Sequence, residues 1–381
     1  MPTRNAWLDQ VKGIACLLIV CHHLAFYGPM STVVQPVVPV VMDWLYEYGR
    51  MAVQVFLVMG GYFAAAGLAP QGTAKHANLG PLLVKRYVRL VIPYAAALVV
   101  TMVVTELVRN WGFEHASMSS PAQWVQVLAH LLLVHGIGGW ESLSAGVWYV
   151  AMDFQLYAVI ACVFVIYQKW FARDPEAGDK AGRLAGIATV PQIVVVALAA
   201  ASLWGWNLDG DLDNWALYFL GAYGMGAMAW WASHAEKTQQ RWVWALCIAF
   251  LGALALYIEW RTRIALAWVS ALVLALAGSV RWPAVVQKFC WPPLQRLGQQ
   301  SYSVFLIHFS MSLLVNALCT LWWPESIAMN ALGLLVAVLL SVAAARVLYR
   351  YVESQKASWR EFLRWQAGTF GVLAVIAIKL L

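Results

Sequence analysis

Eleven apolar stretches of near-spanning length run in series through this chain, and they leave few folds open to it. They fall near residues 11–28, 51–69, 88–108, 147–168, 187–206, 214–232, 242–260, 262–280, 299–321, 328–349 and 364–381. A helix rises 1.5 Å per residue, so about 20 apolar residues cross the hydrocarbon of a bilayer. Lipid offers backbone polar groups no partner, and a helix satisfies all of its own internally. The expectation is an all-α polytopic bundle of ten core helices with an eleventh at 364–381. Composition agrees: 62% of residues are hydrophobic and 11% charged, against about 25% charged in soluble domains. No Gly/Ser-rich or Pro-rich linker divides the chain, so residues 1–381 read as one integral membrane domain with a core at about 8–353. Arg4, Asp9 and Lys12 precede the first apolar run and no small-residue cleavage site follows it, so that run reads as a retained span.

Lysine and arginine test the count. With the N-terminus in the cytoplasm and the spans alternating, twenty of these residues fall inside and five outside, a strong positive-inside bias. The net charge of +7 is then mostly an orientation signal rather than a mark of nucleic-acid binding. Many of the 22 tryptophans sit near span ends, as in an interfacial belt. The six cysteines form no C-x-x-C pair and read as small apolar residues. In the loop "NLDGDLDN" (207–214), Asp209, Asp211 and Asp213 alternate, but Asn214 and Leu220 stand where a calcium-binding EF-hand needs Gly and Glu. It reads as a solvated acidic loop, and no metal is expected.

The first span holds two adjacent histidines, in "IVCHHLAFYG" (19–28). Ionisable groups inside spans face a bundle interior or a wet cavity. Lys12 and His23 are eleven residues apart, so at about 100° per residue they differ by only about 20° around the helix. Asp9 lies on the same side. His22 points roughly 100° away and reads as a packing residue. His23 lies about 16 Å along the axis from Lys12, near mid-membrane.

The segment "WLDQVKGIACLLIVCHHL" resembles the opening helix of the membrane-bound acyltransferase 3 family, with Asp9, Lys12 and His23 at its Asp, basic and His positions. Further likenesses follow in order. "VFLVMGGYF" (55–63) resembles the family's second-helix pattern, with Gly60 for its usual Ser. "KRYVRLVIPY" (85–94) carries R-x-x-R-x-x-x-P through Arg86, Arg89 and Pro93. "VWYVAMDFQLY" (147–157) resembles W-x-x-x-x-E-x-x-x-Y, with Asp153 for Glu and Tyr157 at the Tyr. "LGQQSYSVFLIH" (297–308) resembles L-G-x-x-S-Y-x-x-Y-L-x-H, through Ser301, Tyr302 and His308, and "YVESQ" (351–355) supplies Glu353.

The resemblance implies a polysaccharide O-acyltransferase of the bacterial inner membrane. Acyl-CoA, acetyl-CoA by default, would be the cytoplasmic donor, and a hydroxyl of a surface, periplasmic or lipid-linked glycan the acceptor. Arg86 and Arg89 share a helix face at the cytoplasmic mouth of the third span, and guanidinium forks suit the donor's phosphates. Without the family, both read as topology charges. His23 would be the base, or a nucleophile that carries the acyl group. His308, twelve residues from Arg296 and about 16–18 Å in, could line the same cavity, orient His23, bind acceptor or serve structure alone. Ser301 and Tyr302 could hold the donor's arm or pack helices. Asp153, in the outer part of the fourth span, could meet a sugar hydroxyl or satisfy a neighbouring aromatic. Glu353 could pair with Arg350, or position Lys12 or the donor. The rival reading is a transporter or flippase using mid-membrane histidines. The paired arginines and the lack of inverted repeats lean against it.

Overall fold

The computed structural model describes residues 6–171, 183–184, 188–277 and 291–379. Each of the eleven expected spans is a helix: Ala6–Phe26, Val53–Leu68, Leu79–Asn110, Val147–Phe171, Val190–Trp204, Ala216–Ser233, Thr238–Ile258, Thr262–Ala277, Ser301–Trp322, Ile327–Leu348 and Trp359–Lys379. Among the described residues, nine apolar segments are long enough to cross a membrane. Thr262–Ala277 is shorter, and Ala216–Ser233 is diluted by Gly, Tyr and Trp. The last helix starts at Trp359, ahead of the expected 364, because Arg360, Glu361 and Arg364 hide its first turns from a hydropathy reading. The five cysteines of the described residues are free; Cys290 lies outside them.

The helices belong to two compact units of interleaved sequence. The first takes Met1–Ala52, Tyr87–Ala151 and Phe289–Leu381; the second takes Val53–Arg86 and Met152–Lys288. In the first, helix Ala6–Phe26 packs on the short helix Pro292–Gln299 and on Ser301–Trp322, which in turn packs on Ile327–Leu348. In the second, Ala216–Ser233 is central and packs on Val53–Leu68, Val190–Trp204, Thr238–Ile258 and Thr262–Ala277. Gly61 faces the Tyr223 carbonyl and Gly226 the Val58 carbonyl so closely that any side chain would overlap them. Small residues allow this approach, which dispersion rewards because lipid supplies no hydrophobic drive between helices.

Two irregularities bear on function. Pro93 sits inside the long helix Leu79–Asn110, where it removes one rung of the hydrogen-bond ladder and bends the backbone. A π-turn at Tyr349–Glu353 closes helix Ile327–Leu348. Such turns insert an extra residue and re-aim the side chains that follow.

Candidate active site

The two histidines of the first helix find different partners. His22 donates from Nδ1 to the Leu45 carbonyl at 2.9 Å, a packing role. His23 Nδ1 lies 2.6 Å from His308 Nε2, and both rings are buried. His308 Nδ1 in turn lies 3.0 Å from the Val304 carbonyl and 2.9 Å from that of Phe305. Carbonyls only accept, so His308 carries its proton on Nδ1. Its Nε2 is then the acceptor, and His23 donates to it from Nδ1. The lone pair of the His23 ring is therefore on Nε2, which meets no hydrogen-bond partner among the described residues. Backbone carbonyls thus set the tautomer of one histidine through another, as a carboxylate does in a catalytic triad.

Nearer the N-terminal end of the same helix, Lys12 pairs with the buried Asp9 at 2.6 Å, and Gln299 donates to Asp9 at 3.4 Å. Gly298 lies against the Asp9 carbonyl with no room for a side chain, which accounts for the glycine in "LGQQSYS". Tyr302 donates to the Leu90 carbonyl at 2.9 Å, in the turn before Pro93, so its hydroxyl serves helix packing. Ser301 is buried at the start of its helix. Glu353, turned by the π-bulge, accepts from Ser303 at 2.5 Å. Sequence reasoning offered Arg350 or Lys12 as its partner and missed Ser303. The signal was a hydroxyl in an apolar run, but nothing in the sequence marks the π-turn that brings Glu353 to it.

The second unit holds its own polar cluster. Arg86 pairs with Asp153 at 2.5 Å, and its guanidinium lies 5.0 Å from the centre of the Tyr157 ring. Asp153 side-chain exposure is 10%, that of Arg86 33%. This relocates both residues. Arg86 stands seven residues into a 32-residue helix, which is longer than a hydrocarbon layer of about 30 Å requires. Asp153 meets a guanidinium rather than the aromatic or sugar partner weighed from sequence. Arg89, one turn further along, is exposed. A side chain at Gly60 would stand 3.2 Å from Asp153 Oδ1 and 2.8 Å from the Tyr223 ring. Two of the departures from the family pattern, Gly60 and Asp153, are therefore neighbours in space.

A family model described as an acyltransferase domain matches residues 5–350. No curated protein and no solved structure matches the chain. The matched span includes the buried His23–His308 pair and the Arg86–Asp153 pair, and it stops just short of Glu353. Covering nearly the whole chain, the match places this protein in the acyltransferase 3 family.

Proposed function

We propose that the protein is an O-acyltransferase of the bacterial inner membrane, with its N-terminus in the cytoplasm. It takes an acyl group, acetyl by default, from cytoplasmic acyl-CoA and passes it to a hydroxyl of a glycan on the outer side. The observation that carries this reading is the hydrogen-bonded chain from the Val304 and Phe305 carbonyls through His308 to His23. It leaves His23 Nε2 as an oriented base with its lone pair unengaged by the described residues. An alcohol attacks a thioester slowly unless its proton is removed as the new bond forms. His23 Nε2 takes that proton, the oxygen bonds to the thioester carbon, and the carbon–sulfur bond breaks. The departing thiolate then recovers the proton from the His23 imidazolium. While that cation exists, its Nδ1–H bond to His308 is charge-assisted and stronger, which favours the transition state.

Donor phosphates are bound by Arg89 and Lys12, and Arg86 is held in one orientation by Asp153 and Tyr157. The family match favours acyl transfer over the carrier reading. In proteoliposomes with isotope-labelled acetyl-CoA, His23→Ala lowers transfer by roughly 10²–10⁴-fold, the usual contribution of a general base. His22→Ala has a milder effect. An inactive His22→Ala beside an active His23→Ala would overturn the assignment.

A further inference from the structure

Helix Pro39–Tyr48 has no buried residue, although it packs on helix Ala6–Phe26 of the same unit. Its sequence, PVVMDWLYEY, sorts three kinds of residue onto three arcs. At about 100° per residue, Val40, Trp44, Tyr48 and Val41 fall within a single arc of about 100°. All four are exposed, Val40 at 80% and Val41 at 56%. Leu45 and Met42, both half-buried, occupy the next arc. Asp43 and Glu47 occupy the third, and both are exposed.

The fastenings of this helix fix its depth. The Leu45 carbonyl accepts from His22 at 2.9 Å, and the Tyr46 ring lies on Phe26 with centres 4.9 Å apart. Gly49, just past the helix, faces the His22 Cβ so closely that a side chain would overlap it. His22 is four residues before the end of a helix long and apolar enough to cross a membrane, about 6 Å along its axis. A helix held there lies at the boundary between hydrocarbon and headgroups. Trp and Tyr gather at that depth, and an apolar arc beside a charged one is the pattern of a helix lying in a membrane surface. Four side chains fall far short of the roughly 20–30 residues a side of a stable protein interface, so a second copy does not account for the face. An apolar arc also offers a glycan few hydrogen bonds.

We infer that Pro39–Tyr48 is an interfacial helix, with Val40, Val41, Trp44 and Tyr48 inserted among the acyl chains of the leaflet at that end, the outer one by the lysine and arginine count. Through Leu45 the embedded helix holds His22, and so the last turns of the helix that carries His23; this second step rests on the proposed function. The test uses the full chain in nanodiscs that hold one copy each. They contain a phosphatidylcholine with a diazirine near the head of one acyl chain, and mass spectrometry maps the photoadducts. Adducts are expected at residues 40–48. Val40→Asp with Val41→Asp should abolish them. Both positions lie in the first helical turn, where acidic residues favour a helix, so the segment keeps its structure. Loosening the His22 bond should lower kcat for acetyl transfer about two- to tenfold, the worth of one neutral hydrogen bond, with KM for acetyl-CoA unchanged. In a His22→Ala background the same double substitution should have no further effect. Absence of wild-type adducts at 40–48, or adducts that survive the double substitution, would overturn the lipid assignment. An unchanged kcat, or a loss that persists in the His22→Ala background, would overturn the role of His22. Adducts on a wild-type protein that does not turn over acetyl-CoA would remove the proposed function and leave the lipid assignment standing.

Discussion

At the scale of residues, the account depends on which ring nitrogen holds a proton. His308 has no acidic partner in the chain of bonds, only two backbone carbonyls and His23. Its effect on the reaction is therefore one of positioning. His308→Phe removes the acceptor for His23 Nδ1–H, and loss of a hydrogen bond to a charged ring costs about 1.5–3 kcal/mol, or roughly ten- to hundredfold in rate. The expected result is a lower kcat with KM for acetyl-CoA unchanged. His308→Gln, whose amide oxygen can accept the same proton, should recover part of the loss. A raised KM at unchanged kcat would make His308 a donor-binding residue instead. His23 was legible in the sequence because an eleven-residue spacing from Lys12 is nearly three whole helical turns. The place of His308 beside it was legible only as a shared depth, which left four roles open. The Arg86–Asp153 pair was not legible at all. The two residues are 67 positions apart, and span alternation alone put one near the inner end of its helix and the other in the outer part.

At the scale of elements, apolar length predicted helices well and missed what lies between them. Pro39–Tyr48 is an exposed amphiphilic helix that leads through a 3₁₀ turn into Val53–Leu68. Trp124–Leu131 is a two-turn helix too short to register as a span. Its His130 stacks on His135, with ring centres 4.0 Å apart and planes 8° apart. Leu133, at φ 59°, makes the left-handed turn between them. His130 donates to the Gln126 carbonyl at 2.8 Å and accepts from the Leu143 N–H at 3.1 Å, so its ring is neutral and fully used. Burial pushes the His130 imidazole down to about 4. Burial, and then the neighbouring His130, push His135 down to about 3. The unfolded chain protonates both rings near 6.5, so it gains protons that the fold does not accept. Their stabilising contribution is complete above about pH 6.5 and is lost as pH falls from there toward about 3. Melting in detergent should therefore be flat above that range and fall steadily through it. His135→Phe, which keeps the stack and removes one titrating ring, should make the acid slope shallower. An unaltered slope would assign the acid sensitivity to other groups.

At the scale of the whole molecule, the sequence carried the family through motifs dispersed from the first helix to the last core helix, and the match over residues 5–350 agrees with them. It could not show that the chain folds as two compact units of interleaved segments, because contacts between distant helices leave no trace in local periodicity. The central proposal is transfer across the membrane, and it rests on the positive-inside expectation and on the depth expected for His23. Lys12, Arg86 and Arg89 belong to the side that collects twenty of the lysines and arginines. His23 lies about three helical turns beyond Lys12, the distance that the long arm of the proposed coenzyme A donor would have to bridge. The direct measurement uses sealed right-side-out vesicles with labelled acetyl-CoA supplied on one side at a time. Acetyl-CoA loaded inside should yield acylated glycan outside, and acetyl-CoA added outside should yield none. Product formed from external acetyl-CoA alone would contradict the account.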